Sequence, residues 1–72
     1  MSTYNETELL DRYGRLNTTL VGVDGNAFAL MAHFRQCARR AGWTREDIDS
    51  VLNEAMSDDY NHLVETLTTF TK

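Results

Sequence analysis

The sequence has no proline and only one cysteine, Cys37, among its 72 residues. A single cysteine cannot form a disulfide within the chain, and an unstapled core of this size typically contributes only about 3–5 kcal/mol of net stability. No apolar run is long enough to span a bilayer, and the start MSTYNETELL lacks the basic and hydrophobic regions of a secretory signal. We therefore expect one small domain over residues 1–72, cytoplasmic and without a membrane partner.

One sign of charge is missing from each of two adjacent stretches. Residues 35–45 contain four arginines and no acid, whereas residues 46–65 contain seven acids and neither lysine nor arginine; the net charge of the chain is −4. We interpret this split as two halves that face one another, either across a helix–helix contact within the chain or across two copies. Because exposed ion pairs contribute roughly 0–1 kcal/mol each, their main effect would be on orientation and partner choice.

One amphipathic segment, from Asp24 to Trp43, is expected to form the central helix. Its apolar stripe repeats at helical spacing and consists of Ala27, Leu30, Met31, Phe34, Cys37, Ala38 and Ala41. Asp24 or Asn26 can cap the first turn. Gly42 can adopt the left-handed conformation that ends a helix, with Trp43 folded back onto the last turn. Phe28 lies off the stripe and is therefore available for a second apolar contact.

The chain before the central helix divides into two segments. Residues 5–16 show helical spacing, with Asn5 as the expected N-cap, and Gly14 favours an end of this helix at Tyr13. Residues 17–23 are rich in threonine and valine and favour extended structure. We expect this segment to lie across the helices or to pair with its own copy in a dimer.

Two more helices are predicted after the central one. Thr44 and Ser57 each precede acids and so resemble N-caps, with a break near Met56. Spacing places the aromatic residues Phe28, Trp43, Tyr60 and Phe70 mostly in the core. The threonine-rich last turn is expected to fray. The expected fold is mainly α, a small helical bundle of three core helices plus a short N-terminal helix, with one extended segment before the central helix.

The stretches DGNAFALM, ARRAGW and IDSVLNEAMSDDYNHLVETLTTF resemble a group of short, uncharacterised proteins from bacterial and phage genomes. The resemblance covers roughly residues 20–70, and DGNAF and SDDYNHL are its most specific parts; the first 16 residues are less typical. It implies that the chain comes from a phage or another mobile element. The group has no assigned activity, so the resemblance transfers no catalytic or binding residue.

His33, Cys37 and His62 are the side chains to consider for a metal site or a nucleophile. One cysteine and two histidines far apart in sequence do not match zinc spacings, so we interpret Cys37 as a buried thiol beside a flanking histidine. His62 follows Asp58 by four residues and is expected to pair with it, which would raise the pKa of the imidazole. Asp58 and Asp59 do not fit a calcium loop. We expect no metal, no cofactor and no catalytic residue.

The arginines Arg35, Arg39 and Arg40 form one face of the predicted central helix, which His33 and Arg45 extend. A recognition helix contacts nucleic-acid phosphates with such a face, so nucleic-acid binding is one hypothesis. The sequence pI of about 4.9 opposes it, because nucleic-acid-binding domains are usually basic.

The preferred hypothesis is a small, non-enzymatic protein that acts by protein–protein contact, as a homodimer and with an unknown protein. Its binding surface would consist of the arginines Arg35, Arg39 and Arg40, with Asp58 and Asp59 as the acidic counterpart. If the resemblance holds, the protein modulates a host protein for a phage or mobile element. The alternatives are a nucleic-acid-binding regulator that uses the same arginines and, third, a small metal-dependent enzyme.

Overall fold

The structure, a computed structural model, describes residues 4–72, which form four α-helices. These are α1 (Glu6–Tyr13), α2 (Ala27–Arg40), α3 (Arg45–Ala55) and α4 (Tyr60–Thr69). Helices α2, α3 and α4 pack on one another, and α1 joins them through the buried Leu9. Residues 4–72 contain no strand, and none of their helices is long and apolar enough to cross a membrane. The predicted small helical bundle is confirmed; the first three residues of the MSTYNETELL stretch lie outside the described part.

Three of the predicted capping residues begin their helices. The side chains of Asn5, Asn26 and Thr44 each accept a hydrogen bond from a backbone amide in the first turn of α1, α2 and α3. Of the two candidates before the central helix, Asn26 is the cap. Asp24 instead accepts from the amide of Asn26, at 3.0 Å. Each cap satisfies a backbone donor that the helix itself leaves without a partner.

Glycines end α1 and α2, as predicted. Gly14 follows Tyr13 with φ +71°, and Gly42 follows α2 with φ +94°. At the end of α2 the amide of Trp43 donates to the carbonyl of Ala38 at 3.0 Å, and the amide of Gly42 donates to the carbonyl of Arg39 at 3.1 Å. These two bonds form a Schellman motif, which turns the indole of Trp43 back into the core.

Aromatic rings occupy the centre of the bundle. Phe34 and Phe70 are fully buried, and Trp43 is 5% exposed. The indole meets both phenyl rings edge-on, with centroids 5.5 and 5.6 Å apart, an arrangement that aromatic rings favour. The rest of the core is aliphatic and consists of Leu9, Leu16, Leu30, Met31, Ala38, Ile48, Val51, Leu52, Ala55, Leu63 and Leu67.

α1 is attached to the start of α3 by a polar cluster. The ring of Tyr13 stacks on Trp43 with centroids 4.4 Å apart. Its hydroxyl donates to the carboxylate of Asp47 and accepts from the amide of Thr44. Arg12 donates to the same carboxylate at 2.7 Å. The hydrogen bond from Tyr13 is the largest cause that holds the pKa of Asp47 below its usual value, and the bond from Arg12 adds to it.

The segment after α1 has a partner within the chain. The amide of Leu16 donates to the carbonyl of Phe70 at 2.6 Å, and the amide of Lys72 donates to the carbonyl of Thr18 at 2.7 Å. Residues 16–18 therefore lie against the C-terminal residues, without forming a strand. Residues 20–23 instead form a turn, in which the amide of Val23 donates to the carbonyl of Leu20 at 3.1 Å, so the prediction of extended structure is wrong for this part of the segment. The bonds of residues 16–18 also make the prediction of a frayed C-terminus wrong, because they hold Phe70 and Thr71 buried.

The loop between α3 and α4 differs from its prediction. Asp59, not Ser57, is the N-cap of α4, and it accepts from the amide of His62 at 2.9 Å. The hydroxyl of Ser57 donates instead to the carbonyl of Glu54. The prediction of a core position is wrong for Phe28, which is 78% exposed, and for Tyr60, which is 48% exposed. The hydroxyl of Tyr60 donates to the carbonyl of Gly25, which fixes the start of α4 beside the start of α2.

Candidate functional site

An exposed stripe on α2 runs from an aromatic ring to two arginines. Phe28, Ala32, Arg35 and Arg39 are separated by four, three and four residues, so they lie on one face of the helix. All four are exposed, and Phe28 is 78% exposed. Since an α-helix rises 1.5 Å per residue, the stripe is about 16 Å long.

The first half of this stripe borders an apolar depression between α2 and α3. Phe28 and Ala32 line it from α2, and Leu52 and Met56 line it from the end of α3. The depression has a volume of about 310 Å³. Met56 is 53% exposed because α3 ends at Ala55, so its side chain extends beyond the buried face of the helix. The result is an exposed apolar patch made by two helices.

The second half of the stripe borders a basic depression. Arg35 and Arg39 line it from α2, and Arg45 and Asp49 line it from the start of α3, around a volume of about 490 Å³. Arg35 and Asp49 line both depressions, so the two are continuous. We call the whole feature the α2–α3 groove. Arg40 lies next to it, on a shallow surface that it shares with Arg35 and Arg39.

The three predicted arginines have no acidic partner among residues 4–72. No ion pair within 4.0 Å involves Arg35, Arg39 or Arg40, and Arg45 lies 3.9 Å from Asp49 on the same helix. The predicted contact between the basic and acidic halves exists where Arg35 and Arg39 of α2 line the same depression as Asp49 of α3, but it forms no ion pair within 4.0 Å to these arginines in the described chain. Besides the pair of Arg45 with Asp49, the acidic half forms ion pairs through Asp47 with Arg12 of α1 and through Glu54 with His62 of α4. A contact between two copies stays a prediction.

The predicted acidic counterpart lies at the other end of the groove. Asp58 and Asp59 are exposed in the loop that follows Met56. The bond from Tyr60 to Gly25 places this loop beside the start of α2, at the Phe28 end. Asp59 also caps α4, and Asp58 accepts from the amide of Asp59 at 2.9 Å. Within one chain, the fold does not pair these acids with the arginines.

His62 pairs with Glu54, not with Asp58 as predicted. Its Nε2 lies 2.8 Å from Oε2 of Glu54 and 3.1 Å from the carbonyl oxygen of the same residue. The hydrogen bond to the Glu54 carboxylate is the largest cause that raises the pKa of His62 above its usual value. Asp58 fails as the partner because α4 begins at Tyr60, which leaves Asp58 outside the helical register.

The other histidine does not belong to the groove. Nε2 of His33 lies 3.0 Å from Oγ1 of Thr18 and 3.8 Å from Sγ of Cys37. His33 therefore contacts the loop before α2 and does not extend the arginine face. Cys37 is half-buried rather than fully buried as expected. Among residues 4–72 there is no group of three or more histidines, cysteines and acids that could hold a metal ion.

Helical spacing alone does not indicate the apolar part of the groove. Met56 follows Ala55, the last residue of α3, and the end of that helix leaves it 53% exposed. The position of Phe28 off the apolar stripe was the one signal in the sequence that indicated a second contact surface.

In comparisons with known proteins, no family model, no curated protein and no solved structure matches this chain.

Proposed function

We propose that this protein is non-enzymatic and acts by protein–protein contact through the α2–α3 groove. The groove itself supports the proposal, because it joins an exposed apolar patch, Phe28 and Met56, to Arg35 and Arg39, which form no ion pair within 4.0 Å in the described chain. Protein interfaces typically combine aromatic residues, methionine and arginine at their centre. When another protein covers an apolar patch exposed beside such arginines, apolar surface is removed from water, which favours the association.

The proposed partners are a second copy of the chain, which gives a homodimer, and a further protein. The likeness of DGNAF and SDDYNHL to short bacterial and phage proteins supports a more specific role. In that role the protein modulates a host protein in the cytoplasm for a phage or mobile element.

The test of this proposal is the molar mass in solution, measured by light scattering at low and high salt. We expect wild type to be a dimer and Phe28→Glu to be a monomer, because the substitution puts a carboxylate into the apolar patch. Val21→Glu is the matched control, since Val21 is 86% exposed and does not line the groove. Circular dichroism should show the same helix content for all three proteins. A Phe28→Glu variant that dimerises like wild type would overturn the groove as the contact surface.

A nucleic-acid-binding regulator is the second candidate, favoured by Arg35, Arg39 and Arg40, which form no ion pair within residues 4–72. The apolar side chains on the same stripe and the net charge of −4 oppose it. Under this alternative, replacing both Arg39 and Arg40 with glutamate abolishes a salt-dependent mobility shift of DNA or RNA. Each lost phosphate contact would lower the salt slope by about 1. Under the protein-contact proposal no such shift is expected in wild type.

A further inference from the structure

The groove changes character along its length in a regular order. Asp58 and Asp59 do not line the groove, but they are exposed in the loop between Met56, which lines its Phe28 end, and Tyr60, which bonds Gly25 before α2; we call this loop the acidic end. The apolar patch of Phe28 and Met56 comes next. The basic end follows where α2 ends and α3 begins, with Arg39 and Arg45 in the groove and Arg40 next to it; its one acid, Asp49, lies 3.9 Å from Arg45. When two copies of this surface face one another in opposite directions, the acidic end of each copy meets the basic end of the other.

Two-fold symmetry makes use of this property. In a two-fold dimer both copies contribute the same surface, and the rotation exchanges the two ends of any feature that crosses the axis. If the two-fold axis passes through the apolar part of the groove, the acidic end of each copy lies against the basic end of the other. A parallel arrangement would instead oppose arginine to arginine and aspartate to aspartate, which costs several kcal/mol at an interface.

We infer that the occupant of the α2–α3 groove is a second copy of this chain, with its α2 antiparallel to the first. Asp58 and Asp59 of each copy then face Arg39 and Arg40 of the other, and the two apolar patches cover one another. This inference rests on the proposed function, to which it adds the antiparallel orientation of the second copy and the pairing of its residues.

The size of the molecule is compatible with this contact. A standard stable interface buries about 800 Å² per partner, roughly one sixth of the 4823 Å² surface of this chain. The exposed stripe is about 16 Å long, and its two charged ends extend it. The face that carries the groove belongs to a molecule with extents of 27, 26 and 17 Å.

The experiment is a charge exchange between the two ends of the groove. Arg39→Glu alone opposes glutamate to aspartate at both symmetric contacts, and Asp58→Lys alone opposes lysine to arginine. We expect each variant to raise the Kd of its homodimer at least about tenfold. In an equimolar mixture, Glu at position 39 of one chain meets Lys at position 58 of the other. The second contact keeps its native Asp58–Arg39 pair, so native mass spectrometry should show a restored heterodimer.

Two matched controls separate this pairing from a general effect of charge. Arg15→Glu and Glu65→Lys make the same changes at exposed positions that do not line the groove, and they should leave the wild-type Kd unchanged. Asp58→Lys keeps the Asp59 cap of α4, and circular dichroism checks that both swapped variants remain folded.

The outcomes distinguish this inference from the proposed function. If Phe28→Glu dissociates the dimer but the mixed charge variants do not associate, the antiparallel pairing is overturned while the groove stays the contact surface. A wild type that is monomeric at high concentration overturns the second copy as the occupant. The groove is then left to a different protein.

Discussion

Two regions of the molecule use the same residue types with opposite results. One is the contact between α1 and the start of α3, and the other is the α2–α3 groove. At the α1 contact, Arg12 bonds both Glu8 and Asp47, and the ring of Tyr13 stacks on an indole. In the groove, Arg39 has no acidic partner in the described chain, and Phe28 is 78% exposed. An aromatic ring and an arginine stabilise a fold where the chain supplies their partners. Where it does not, the same side chains are available to another molecule.

The largest effect is expected from comparing two phenylalanines. Phe70 is fully buried against Phe34, Trp43 and Tyr4, so Phe70→Ala should destabilise the fold by about 3–5 kcal/mol through lost burial and an unfilled cavity. Phe28→Ala removes an exposed ring and should change the free energy of unfolding by no more than about 0.5 kcal/mol. Urea denaturation measures both, at a protein concentration low enough to keep the chain monomeric.

Phe70→Leu keeps this comparison measurable if Phe70→Ala does not fold. It retains most of the apolar volume and should lie between wild type and the alanine variant. Equal stabilities of Phe70→Ala and Phe28→Ala would contradict the assignment of one ring to the core and the other to the surface.

A smaller effect is expected from comparing two tyrosine hydroxyls. Tyr13→Phe removes the donor to the Asp47 carboxylate and the acceptor for the Thr44 amide, so it should cost about 1–2 kcal/mol. Tyr60→Phe removes one bond to the carbonyl of Gly25 at a half-exposed position and should cost less, about 0.5 kcal/mol. Urea denaturation at neutral pH measures the two costs, and the reverse order would refute the polar cluster as the attachment of α1.

The Tyr13 variant should also change the response to acid. Because the folded pKa of Asp47 is lowered, its ionisation stabilises the fold above the unfolded pKa, near 3.8. This contribution is lost as the pH falls through the folded value. Tyr13→Phe removes the largest cause of the lowered pKa, so stability should decline less steeply below pH 4 than in wild type.

The smallest effect is expected at the His62–Glu54 pair, which joins α3 to α4. The folded pKa of His62 is raised above its unfolded value of about 6.5. Its contribution is therefore fully present below that value and is lost as the pH rises through the folded pKa. Thermal denaturation from pH 6 to 8 should show a decline in stability that Glu54→Gln reduces. Glu65→Gln, an exposed acid on α4, should behave like wild type.

Local features of the chain could be predicted from sequence because they depend on neighbours a few residues away. Asn26 and Thr44 begin helices, and Gly42 ends one, since each satisfies or permits backbone geometry in its own turn. The apolar stripe of α2 identified its buried face for the same reason. The cap of α4 was misplaced because Ser57, Asp58 and Asp59 are all good capping residues, and the sequence does not rank them.

Tertiary structure alone decided which side chains meet. His62 bonds Glu54 rather than Asp58, which is nearer in sequence. Asp47 bonds a tyrosine 34 residues away, and the segment after α1 bonds the C-terminal residues. The sequence by itself determined the helices, their main apolar faces and the arginines of α2. Only the packing of α2 against α3 placed Met56 beside Phe28 and left those arginines without an acidic partner in the described chain. Contacts between distant segments depend on where each helix ends and on the direction that the chain takes after it.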